Sequence, residues 1–238
     1  MQSLAPETAR LALEQRLGLG HLGHERGADL DEIGPRIEAT LAALSFEPFG
    51  VRVGALALDH ALERRYSVLL EGTLRDPGMV TGTATRFAEA GYRVEVVAVA
   101  TPAPVSRLSA EMRSLGDGPN EPGRWTPPEA HETALAGSAG VLSALEALPH
   151  IARVRVFSRE AQLFDNQRDA AGEWEREPAA AHTLRHEQQR PLSPGMAAQW
   201  LKDYSAVYAR AKQRPGYLGT QTAPTYARLQ DDAAQMLR

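Results

Sequence analysis

Apolar and polar positions along the chain change period repeatedly from residue 51 onward, and the changes mark alternating helices and strands. Short apolar runs bounded by turn residues predict strands at 66–70 (YSVLL), 93–100 (RVEVVAVA) and 153–157 (RVRVF), with a short one at 162–166 (QLFDN). Helical spacing fills the intervals. It predicts helices over 51–65, over 78–90 with Val80, Ala84 and Phe87 on one side and Gly91 as a stop, and over 104–115. Thr126-Pro127-Pro128-Glu129 reads as an N-cap, a proline at the first helical position and a capping-box glutamate, opening a helix to about 148 with a bend at 137–140. Further helices are predicted at 178–189, at 193–213 with Pro194 in the first turn, and at 224–237. A strand–helix–strand unit of this length implies a parallel pair with a right-handed crossover, and the fold class is α/β.

Residues 1–50 predict a helical N-terminal segment. Residues 6–17 read as one helix. Leu30, Ile33, Ile37, Leu41 and Leu44 share one helical face, behind a capping box from Asp29 to Glu32. Between them, Gly18-Leu19-Gly20-His21-Leu22-Gly23 matches GxGxxG, but a helix precedes it where that fingerprint requires a strand. It reads as a helix–helix turn, with His21 and His24 as solvent-exposed turn residues rather than metal ligands.

The 238 residues suit one α/β domain with helical additions, and at 43% hydrophobic they can bury a sizeable core. A net charge of -4 argues against bulk nucleic-acid binding. The absence of cysteine excludes disulfides and thiolate chemistry. No apolar run reaches membrane-spanning length and the N-terminus lacks the apolar core of a signal peptide, so a cytoplasmic protein is expected. Lysine occurs at Lys202 and Lys212 and nowhere else.

Candidate chemistry begins where the 66–70 run ends. Val68, Leu69 and Leu70 stop at a carboxylate, Glu71; Gly72 lets the backbone turn, and Thr73 and Arg75 follow. In open α/β sheets ligands bind just beyond the carboxyl ends of strands, which is where these side chains are expected. The plain alternative is a capped strand end with a surface ion pair. Two arginines add to the picture: Arg113 on a predicted helix and Arg124 in the Gly/Pro-rich loop after it. Guanidinium groups placed over a transferring phosphoryl group offset the charge on its equatorial oxygens.

EGTLRDPG, then TATRFAEAGYRVEVVAVATP, the Arg113 helix and GRWTPPEAH, followed by LFDN, GEW and RPLSPGMAAQWL, resemble the zeta toxin family over residues 51–201. These are P-loop kinases of toxin–antitoxin systems that phosphorylate UDP-N-acetylglucosamine at its 3′-hydroxyl. The resemblance implies a P-loop-kinase-like parallel sheet with helices on both faces, a zeta-toxin-like α/β domain over 51–201 and a helical tail over 202–238. It implies that Glu71, Thr73, Arg75 and Thr83 contact the nucleotide sugar, and that Arg113 and Arg124 reach the phosphates of ATP. ATP and magnesium follow as cofactors, with UDP-N-acetylglucosamine and a small helical antitoxin as partners.

Two family features have no counterpart in these residues. The sequence contains no Walker A motif, GxxxxGK[ST], and no match for the aspartate that takes the proton from the sugar hydroxyl, so no catalytic residue is assigned. Phosphoryl transfer is therefore expected to be impaired. The alternatives are a non-catalytic pseudokinase that holds a nucleotide sugar or an antitoxin, and a truncated gene product. The P-loop strand of the family lies between the 66–70 and 93–100 strands. Its loss requires that the two pair directly or that something else fills the gap.

Overall fold

The structure is a computed structural model that describes residues 49–116, 123 and 125–237. The N-terminal expectations, including the 18–23 turn, His21 and His24, lie outside the described residues, as does Arg124. The chain divides into two compact units between Leu70 and Glu71. In the first, α1 (Phe49–Arg64) is described, and His60 meets Tyr66 edge-on with ring centroids 5.9 Å apart.

The second unit runs α2 (Pro77–Glu89), β1 (Val94–Val99), α3 (Ala103–Leu115), α4 (Pro128–Ala147), β2 (Ile151–Phe157), β3 (Gln162–Gln167), α5 (Ala180–Gln189), α6 (Pro194–Lys212) and α7 (Ala223–Met236). The sheet has the order β1-β2-β3. β1 and β2 are parallel, with Val96 opposite Val154 and Ala98 opposite Val156, while β3 returns antiparallel to β2. The α/β architecture predicted from the sequence is therefore present, with nearly every element where its pattern placed it.

Residues 66–70 depart from expectation: they form no strand. A strand needs backbone partners, and the neighbouring P-loop strand is not encoded in these residues. Outside the sheet, the Tyr66 N–H turns back to Ala61 O at 3.0 Å, and Leu69 is 95% exposed and Leu70 53%. Neither expected repair of the gap has occurred in the described sheet, where β1 pairs with β2 on one side and is an edge on the other. Two smaller corrections concern α4. Its N-cap is Pro127 rather than Thr126, with no side-chain cap, and it runs unbroken through Gly137 and Gly140.

Two cores form. In the first, Ala98, Ala100, Val154 and Val156 of the sheet meet Val141, Leu142 and Leu145 of α4 and Leu184 of α5. The even-numbered residues of β1 face this layer, and Val97 and Val99 point to the other face, 48% and 68% exposed. In the second, Leu108 and Leu115 of α3 pack with Trp200, Val207 and Ala211 of α6 and with Tyr226 and Leu229 of α7. α5 has no cap of its own. Glu146, buried on α4, accepts from the N–H groups of Ala180 (3.0 Å) and Ala181 (3.4 Å) and so serves as the cap.

Candidate functional site

The EGTLRDPG segment keeps a defined shape although no strand leads into it. Leu74 adopts a left-handed conformation, φ 48°, and packs against the first core. Such a backbone costs a branched residue about 1–2 kcal/mol, which the burial of its side chain offsets. Thr73 and Arg75, on either side, are exposed, as is Glu71. Asp76 then closes the segment: its Oδ1 accepts from Met79 N at 3.0 Å, and Pro77 opens α2. Thr83 stands two turns into α2, half-buried, its hydroxyl donating to Met79 O at 2.8 Å. Its oxygen lone pairs remain for a ligand donor. Glu71, Thr73, Arg75 and Thr83 thus come from one loop and the helix it caps.

Arg113 lies exposed in the last turn of α3. That helix end is held by α6 and the turn after it. Arg214 donates to Leu115 O at 2.5 Å, Arg210 donates to Gly116 O, and Ser114 Oγ bonds Tyr217 OH at 2.8 Å. Gly123 passes so close that a Cβ there would overlap the backbone carbonyl of Arg113. The glycine of the GRW motif thus has a steric reason to be glycine.

His131, at the end of the GRWTPPEAH motif, bonds Ser106 Oγ through Nε2 (3.0 Å) and Glu132 Oε1 through Nδ1 (3.2 Å). The serine–histidine–carboxylate chain resembles a nucleophilic triad in outline, but Glu132 is committed elsewhere. It accepts from Arg107 Nε at 2.8 Å and Arg228 Nη1 at 3.0 Å. Arg107 also grips Asp232 of α7 with Nη1 at 2.8 and 2.9 Å. Burial disfavours charge on Glu132, but the hydrogen bonds and charges of Arg107 and Arg228 outweigh it and hold the carboxyl below its ordinary range. For Asp232 burial prevails over Arg107, and the carboxyl is pushed up. The adjoining cavity, about 20 Å³, admits roughly one water. This network joins α3, α4 and α7 and has no room for a substrate.

Below it lies Glu111, 4% exposed. Burial pushes its carboxyl up, and the hydroxyls of Tyr226 and Tyr217 offset this in part. Tyr217, half-buried, is pushed up to about 12, chiefly by desolvation. Sequence reasoning assigned no role to Arg107, Glu111, Glu132 or Asp232. Arg107 and Asp232 are 125 residues apart, so no local spacing could have paired them.

Among the described residues no lysine stands behind a glycine-rich loop to reach ATP phosphates. Both lysines lie on α6, and Lys212 Nζ sits 4.6 Å from the centroid of the Tyr208 ring. Among the described residues no group of three or more His, Asp or Glu side chains converges as a metal site. No described helix is long and apolar enough to cross a membrane.

Comparison with known proteins agrees with the motifs. No curated protein matches the chain. A solved chain from a study of the PezAT chromosomal toxin–antitoxin system of Streptococcus pneumoniae superposes with a TM-score of 0.55, covering 87% of this chain and 84% of that one at 20% identity, a likeness of fold. The family model described as Zeta toxin matches residues 32–169, more than half of the sequence and both the EGTLRDPG and GRWTPPEAH segments, and the chain belongs to the zeta toxin family.

Proposed function

We propose that this chain is a zeta toxin family protein that retains the nucleotide-sugar side of the site and is impaired in phosphoryl transfer. Its ligand is UDP-N-acetylglucosamine, held by Glu71, Thr73, Arg75 and Thr83, and its protein partner is an antitoxin. The observation that carries the reading is the shape of the 71–76 loop. Leu74 packs into the first core and Asp76 caps α2, and between these anchors and just before them Glu71, Thr73 and Arg75 are left exposed on one short loop, without the strand that normally leads into them. A carboxylate accepts from sugar hydroxyls or the uracil imide, and an arginine fork matches the diphosphate. Family membership supports the sugar nucleotide and the antitoxin. The impairment rests on the missing Walker A lysine and the unmatched aspartate, and Arg113 and Arg124 remain as phosphate-side remnants.

Ligand-observed NMR with UDP-N-acetylglucosamine tests the reading. Binding is expected in the wild-type chain. Glu71→Ala should weaken it by about 1–3 kcal/mol, the range for removing one partner of a polar contact, and leave the melting temperature unchanged because Glu71 is exposed. A melting temperature that falls with no change in affinity would assign Glu71 to the loop's own structure. A folded wild-type protein that shows no binding refutes the proposal.

A further inference from the structure

We propose that His182 and His186 form a two-point chelate for a borderline divalent transition-metal ion, of the zinc or nickel class, on the outer face of α5. The two residues are one helical turn apart, the spacing that places two imidazoles on one face. Both are exposed, and their rings lie side by side, centroids 6.4 Å apart and planes within 23°. A shared ion with metal–nitrogen bonds of about 2.1 Å brings two imidazole centroids to about 4.5–5.5 Å. Rotation of exposed side chains covers the difference, with no movement of the backbone.

The helix that carries the pair is fixed on its other face. Leu184 is buried in the first core, Glu146 caps the N-terminal N–H groups, and Glu187 is paired with Arg190 at 2.8 Å. The two rings are therefore pre-spaced in the folded chain. Other described histidines are engaged: His131 with Ser106 and Glu132, His150 with Thr85, and His60 against Tyr66. Imidazole selects zinc, nickel and copper over magnesium. With two protein ligands the ion keeps open positions for water or for a group from another molecule.

Isothermal titration of the full chain with nickel chloride, and separately zinc chloride, tests the inference. One ion per chain is expected, accompanied by a rise in melting temperature; magnesium chloride should give neither. His182→Ala and His186→Ala should each weaken the affinity about a hundredfold, the advantage of linking two ligands. Both positions are exposed, so both variants should melt as the wild type does without metal. No binding of nickel or zinc overturns the proposal. So does binding that is unchanged in both variants, because the ion would then sit at other histidines.

Discussion

Glu111 is buried with an imperfect set of partners: its Oε1 and the Tyr226 hydroxyl each lack a well-formed hydrogen bond. Burial raises its carboxyl, so the folded chain keeps this proton at pH values where the unfolded chain, with an ordinary glutamate near about 4.3, has released it. The folded state then binds more protons than the unfolded one. The stability it contributes is complete below the unfolded value and is lost as pH rises through the raised one. Glu111→Gln, uncharged at every pH, should raise stability at pH 8 by about 1 kcal/mol and flatten this dependence. Urea unfolding at pH 5 and pH 8 measures both. A variant less stable than wild type at pH 8 would show that the ionised carboxylate is well solvated by its neighbours.

At the scale of elements, α3 is tied to several others by side chains. It joins α4 and α7 through Arg107, which is held by the buried Asp232 and the half-buried Glu132. Removing the guanidinium strands both, and Arg107→Leu should destabilise by about 3–5 kcal/mol in thermal or urea unfolding. Arg228, half-exposed on the same Glu132, is a contrasting control: Arg228→Ala should change stability by no more than about 1 kcal/mol. Equal effects would mean that burial does not set the strength of this network. The sheet offers a second test. Among the described strands β1 ends the sheet, and its outward Val97 and Val99 are exposed, a surface that invites pairing between chains. Val97→Lys together with Val99→Lys should leave the melting temperature within a few degrees and lower light scattering at high protein concentration. A Val154→Lys chain should not fold, since that side chain is fully buried.

For the whole molecule the decisive measurement is phosphoryl transfer itself. With Mg-ATP and UDP-N-acetylglucosamine, no product above a heat-inactivated control is expected. The proposed impairment implies loss of a general-base contribution of about 10²–10⁴-fold, together with the phosphate positioning of a P-loop. Product formation that disappears in Arg124→Ala would overturn the proposed impairment and show that other residues cradle the donor. The core around α3, α6 and α7 extends beyond the family-matched residues 32–169, and it holds the α3 end from which Arg113 projects. The C-terminal helices thus support a motif arginine that lies within the matched span.

Periodicity, proline and glycine positions determined by themselves that this chain is α/β, and located β1 to β3 and the helices from α1 to α7 within a few residues. Those signals are local: they depend on side-chain alternation, caps and backbone freedom within a few residues. The motifs likewise named the family. Tertiary structure decided whatever needs a distant partner. Residues 66–70 have a strand's composition and are not a strand, because pairing depends on a neighbour and not on the segment's own pattern. Thr126 has an N-cap's composition, but Pro127 holds the cap position. No local spacing marks Arg107; α7 folds against it and brings Asp232 within 2.8 Å. Burial then sets the charge of Glu111, which no spacing in the sequence records.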